Sequence, residues 1–188
     1  MKVTPLGTHD GEFCPLDRAL ILEDPNGTRL LYDPGRSVAG ADDPRLGRID
    51  VILVTHMHGD HAGNVHIKAP NAGTCDKPET PVSAMPNSNA ANIAIAKKSK
   101  IVTGSEMPPF FAAKLKANGG NPADSILARF GGSVKQGGVT IATVPAQHSN
   151  GLDPDYIGGD LGKNMKDAGI AGYVGEATGY VLTFTNGL

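Results

Sequence analysis

Tryptophan is absent from the 188-residue chain, and Phe and Tyr bring the aromatic share to only 5%. A core without large rings has to be filled by Ile, Val, Leu and Ala. An excess of one charge is missing too, since 17 Lys and Arg against 19 Asp and Glu leave a net charge of −2. That balance provides no field for nucleic acid, and no basic run exceeds Lys97-Lys98-x-Lys100. The longest apolar runs are strand-sized, which argues against any association with a membrane. Nothing like a signal peptide precedes the first apolar segment, so a soluble protein is expected, cytoplasmic or exported with its signal removed. Cys14 and Cys75 are too few for a disulfide scaffold, and neither has the CxxC or Cys/His spacing of a metal site. Packed or solvent-exposed thiols are expected at both.

Glycine and proline are plentiful, at 25 and 14 residues, and predict many loops. The length suits one domain with a substantial buried core. Residues 2–6 read as a strand. Residues 18–23 and 28–32 flank Asp24-Pro25-Asn26-Gly27 and predict a β-hairpin, which Asp33-Pro34-Gly35 ends. A mixed-charge loop over 36–48 leads into a strand at 49–54. Residues 71–81 are polar and turn-rich, a loop that is either substrate-facing or a surface excursion. Residues 88–98 alternate Ala and Ile at helical spacing with Ser88 as cap, and 100–103 is a short strand. Ser105-Glu106-Met107-Pro108-Pro109 enters a helix that runs to 117 and stops at Asn118-Gly119-Gly120. Strands follow at 126–130 and 139–144, then a loop over 150–176 placed as a lid or substrate wall, then an alternating strand at 178–185.

Chemistry concentrates at Thr55-His56-Met57-His58-Gly59-Asp60-His61, directly after the apolar run Val51-Ile52-Leu53-Val54. That run is short and β-branched and reads as a buried strand. Two imidazoles two residues apart on extended backbone point the same way. Gly59 allows a sharp turn, and Asp60 suits the N-cap of a helix that His61 continues. A strand end and a helix start thus aim four potential ligands at one small volume. Neutral imidazoles and a carboxylate suit zinc, and also iron or manganese. The bland alternative is a chance cluster of surface histidines, yet six histidines in 188 residues rarely place three within one hexapeptide. The strand at 139–144 ends in Pro145-Ala146-Gln147-His148-Ser149 and delivers a lone His at its C-terminal end as well. By itself such a residue is more often an ordinary surface or core histidine. His66 is too far along from His61 to be assigned and reads as solvated. His9 and Asp10 look ligand-like, but a polar turn at 7–11 explains them more simply.

The pattern His56-x-His58-x-Asp60-His61 after an apolar strand resembles the signature of the metallo-β-lactamase-fold hydrolases. The opening Met1-Lys2-Val3-Thr4-Pro5-Leu6-Gly7-Thr8 resembles that family's first strand and turn, and the element order is similar over most of the chain. The resemblance implies an α/β (α+β) fold, a four-layer αββα sandwich with a one- or two-metal site at one edge. It calls for a His at a later strand end, and His148 is the only histidine after His66. It further implies that His56, His58 and His148 hold one metal and that Asp60 and His61 begin a second site. Asp60 would also act catalytically, orienting water or taking its proton. One or two zinc ions are implied, with iron or manganese as alternatives. The activity implied is hydrolysis by a metal-bound hydroxide. The fold does not choose the substrate; the weakly acidic chain argues mildly against RNA, and a small ester, lactone or phosphoester is expected.

Asn186-Gly187 is a strong hairpin signal with one residue after it. In the family a further strand leads to an Asp that bridges two metals, and a last His ligand lies beyond. Here no His follows His148, and Asp153, Asp155, Asp160, Asp167 and Glu176 all precede the strand. Residues 1–188 are therefore expected to be a single domain, the N-terminal portion of a longer hydrolase and incomplete at its C-terminus. A complementing C-terminal segment or second chain is the expected partner beside a small-molecule substrate. Two other readings stay open: a mononuclear iron dioxygenase of the same fold, and a non-catalytic metal-binding fragment.

Overall fold

Alternation along the early strands decides which side chains face which layer. In the computed structural model, which describes residues 1–7, 14, 15, 17–77, 79 and 81–188, β1 (Lys2–Pro5), β2 (Leu20–Glu23) and β3 (Arg29–Tyr32) pair antiparallel. The β2–β3 turn is the predicted one, with Asp24 accepting from the Asn26 amide at 2.9 Å. Next come β4 (Val51–Leu53) and the one-turn helix α1 (Gly59–Ala62). The pair β5 (Val65–His66) and β6 (Val82–Ser83) then leads to α2 (Asn89–Lys97), β7 (Lys100–Thr103) and α3 (Met107–Ala117). Ser88 caps α2 as expected, accepting from the Ala91 amide at 3.1 Å. After β8 (Ser125–Leu127) the six strands stand in the order β1-β2-β3-β4-β7-β8, with β3, β4, β7 and β8 parallel.

A second, antiparallel sheet begins with β9 (Ser133–Gln136) and β10 (Val139–Ala146). Residues 150–176 follow, and here the structure corrects the expectation of a single long loop. They fold as β11 (Gly151–Leu152), α4 (Pro154–Ile157), α5 (Gly159–Asp167) and β12 (Gly172–Tyr173). The glycines taken as loop signals make the turn between two helices, with Gly158 and Gly159 at φ 69° and 59°. Asp153 caps α4, and Lys166 reaches Asp155 at 2.6 Å to tie α5 to it. The strand β9 also went unread, since Val134 is the one apolar residue in its four. The chain closes the second sheet with β13 (Ala177–Thr183) in the order β13-β10-β9.

Neighbouring residues of one strand enter different cores. Leu31, Ile52 and Ile101 pack under α2 and α3 with Ile93 and Phe111, whereas Leu30, Val51, Leu53 and Val102 meet Val139 and Ile141 of the second sheet and Phe184 just past it. The result is a mixed α/β sandwich of the metallo-β-lactamase type. Three of its four expected layers come from the described residues, and the outward face of the second sheet exposes Val144 and Val181 (44% and 55%). No helix among the described residues is long and apolar enough to cross a membrane.

The cysteines need the second correction. Cys14 and Cys75 form a disulfide across 61 residues of sequence, joining two loops that no local spacing connects. Cross-links of this kind persist in oxidising compartments and restrict the unfolded chain. Cys75→Ser is expected to lower stability by about 2–4 kcal/mol. A reductant should move the denaturation midpoint of the wild type down to that of the variant and leave the variant unmoved.

Candidate metal centre

Just past the C-terminal end of β4 the chain carries His56 and His58, and α1 begins at Gly59. The expected Asp60 cap is corrected here: His58, in extended backbone, occupies the N-cap position without a side-chain cap bond, and Asp60 lies inside the first turn. The end of β10 brings His148 in from the other sheet. Ring nitrogens of His56, His58 and His148 all lie within 4.8 Å of one another, the one such group of three or more potential ligands among the described residues. His56 is buried, His58 half-buried and His148 exposed, so the group opens to solvent on one side.

Each of the first two rings has one nitrogen turned outward and one inward. His56 Nδ1 lies 3.0 Å from Thr55 Oγ1, which leaves Nε2 facing His58 Nδ1 at 3.0 Å. His58 Nε2 in turn lies 3.5 Å from Ser149 Oγ. Ring centroids of His148 are 4.5 Å from His56 and 5.1 Å from His58. Burial, then the neighbouring His61, His58 and His148 rings and Arg18, push the His56 pKa down to about 3. Burial and His148 lower His58, with Asp60 opposing them. The His56 imidazole is thus neutral at physiological pH, the form that binds a metal. Three clustered imidazoles with one nitrogen each in reach of the others fit a borderline-soft divalent ion.

Asp60 and His61 lie beside this group and do not complete it. Asp60 Oδ2 is 3.4 Å from His61 Nε2 and 3.6 Å from Arg18 Nη2. His66 is turned away, with Nδ1 2.8 Å from the Ile67 carbonyl. His9 and Asp10 fall outside the described residues.

Two residues that local pattern did not flag hold the candidate ligands in place. Asp33 is fully buried and adopts φ 41°, a left-handed backbone uncommon for anything but Gly, Asn and Asp. Its carboxylate accepts from the Thr55 amide and hydroxyl, both at 2.8 Å, and lies 2.7 Å from His61 Nδ1. It therefore orients His61 directly and His56 through Thr55. Asn150, also fully buried, accepts from the Met57 amide at 2.9 Å and pins the His-Met-His segment to the loop that carries His148. The available signals were weak: an Asp closing an apolar strand, and an Asn two residues past a candidate ligand. Gly35 matters by its lack of a side chain, because a Cβ there would sit 1.9 Å from the Asp60 carbonyl oxygen.

Asp33→Ala is expected to weaken metal binding by about 10–100-fold, the usual cost of removing an outer-shell partner. Competition with a chelator of known affinity measures it, and Asp33→Asn, which keeps one acceptor, should fall between.

A family model described as the beta-lactamase superfamily domain matches residues 17–181. A UPF0173 metal-dependent hydrolase of Anaeromyxobacter dehalogenans (strain 2CP-C) is 28% identical over 156 residues, 78% of this chain and 45% of that protein. Another from Enterococcus faecalis (strain ATCC 700802 / V583) is 27% identical over 160 residues, 84% of this chain and 51% of that protein. A solved metallo hydrolase from Ignicoccus hospitalis KIN4/I aligns with a TM-score of 0.48 at 19% identity, over 88% of this chain and 52% of that one. The chain spans about half the length of the curated relatives it matches.

Proposed function

The chain belongs to the β-lactamase superfamily, and from that premise we propose that it is a metal-dependent hydrolase with its metal held by His56, His58 and His148. The observation that carries this reading is the convergence of those three rings from two sheets. Zinc is the ion that three imidazoles suit first, with iron or manganese as alternatives. When bound, such an ion acts as a Lewis acid that polarises a carbonyl or phosphoryl oxygen and makes water nucleophilic near neutral pH.

The remaining roles fall to the chain's own groups. Asp60 borders the open side and is placed to orient a water or take its proton. Asp60 and His61 supply two further donors beside the first group, where zinc takes about four. Asp33 and Thr55 hold the His56 and His61 rings in one orientation, so the lone pairs need no rearrangement to receive an ion. The substrate class we assign is a small ester, lactone or phosphoester, consistent with an accessible site and a net charge near zero. β13 leaves one edge unpaired among the described strands. We assign that edge to an added strand from a complementing segment or second chain.

Metal content and hydrolysis test the assignment together. His56→Ala is expected to lose bound metal and to reduce turnover of an activated ester, lactone or phosphodiester by more than the roughly 10–100-fold of an outer-shell change. His66→Ala should alter neither. Equal losses of activity in both variants with metal content unchanged would show that the ligands lie elsewhere.

A further inference from the structure

Beside the three histidines stands a second constellation, and it already contains a cation. Arg18 Nη2 approaches Asp60 Oδ2 at 3.6 Å, while Nη1 donates to the Asp17 carbonyl at 3.0 Å, which fixes the direction of the guanidinium. The same carboxylate oxygen lies 3.4 Å from His61 Nε2. The other nitrogen of His61 is committed to Asp33 at 2.7 Å, so a single lone pair remains on that ring for an ion. Among the described residues a second metal would therefore have one carboxylate and one imidazole to bind, and it would compete with Arg18 for the same Oδ2 atom. Neither donor joins a group of three among the described residues. An arginine keeps its charge at any physiological pH, and it meets Asp60 as an ion pair through Nη2 alone.

We infer that Arg18 takes the place of a second metal ion, neutralising Asp60 and holding the centre at one ion per chain. The inference rests on the three-histidine reading above, and it changes what Asp60 does. Instead of serving as a ligand, the carboxylate stays ion-paired at the open side, available to a water or a substrate proton. The pair is partly exposed, at 36% for Arg18 and 22% for Asp60. Substitution there removes a charge without opening a core cavity.

The test is a count of ions on metal-free protein titrated with Zn²⁺, by calorimetry and native mass spectrometry. Wild type, Arg18→Ala, Arg18→Lys and Arg18→Ala/Asp60→Asn are compared, with circular dichroism to check each fold. Wild type should bind one ion. Arg18→Ala should bind a second at least tenfold more tightly than wild type does, Arg18→Lys should return to one, and the added Asp60→Asn should abolish the gain. Should Arg18→Ala fail to fold, Arg18→Gln against Arg18→Lys gives the same contrast. Two tightly bound ions in wild type, or a second-ion affinity that the loss of Arg18 leaves unchanged, would overturn the inference while the three-histidine site stands. No ion bound in wild type would instead overturn the metal-centre reading itself.

Discussion

The buried carboxylate of Asp33 is the constraint on which the site is assembled. Removing a charge from water costs several kcal/mol unless hydrogen bonds replace the lost solvation. Asp33 is wholly shielded, and its partners are the Thr55 amide, the Thr55 hydroxyl and His61. All three come from the segment that carries the metal-binding candidates, so satisfying the charge and placing that segment are one requirement. The loop behind Asp33 is held with equal economy. The Asn89 side-chain amide lies within 3.0 Å of the carbonyls of Pro34, Gly35 and Val38, three acceptors around two hydrogens. Gly35 then lets the two loops touch backbone to backbone.

Much of this architecture was legible because its causes are local. The Asp24 turn, the Ser88 cap and the strand end before His56 and His58 each announce themselves within a few residues, whereas His148 stands out only through the family resemblance. The parts that escaped depend on partners distant in sequence. Asp33 acts on residues 22 and 28 positions away, Asn150 on one 93 positions away, and Cys14 meets Cys75 across 61. Periodicity carries no information about such pairs. The helix α5 escaped for a different reason. Its glycines and charges lower local propensity, and the ion pairs Lys166–Asp155 and Lys163–Asp167 tie its polar face to α4 and along itself.

Joining the two sheets is a separate problem, and its solution lies beside the candidate metal centre. The Tyr180 hydroxyl of β13 lies 2.8 Å from the carbonyls of both Val54 and Val102, at the ends of β4 and β7. One O–H has one hydrogen, so the two acceptors share it. Burial, with the Asp33 and Tyr32 charges, raises the Tyr180 pKa well above its usual value, and the phenol remains a donor throughout the physiological range. The Thr178 amide bonds the Thr55 carbonyl at 2.8 Å a little further along the same seam. These contacts set the height of β13 against β4. Because β10 is registered on β13 from Thr140 to Ala146, they also set where His148 arrives.

The proposed ligand set is therefore split across an interface. His56 and His58 follow β4 of the first sheet, His148 follows β10 of the second, and the hydrogen bonds of Tyr180, Thr178 and Asn150 surround the seam between them. An ion bound by all three binds the docked sheets and not the separated ones. By linkage it adds about 2.7 kcal/mol to their docking when present at a hundred times its dissociation constant. The dependence runs in both directions: any change that loosens the seam separates His148 from its neighbours and weakens the ion, even far from the rings. Metal affinity and sheet docking are in that sense one property of the fold. The groups that determine it are the hydrogen-bonding residues at the strand ends as much as the histidines themselves.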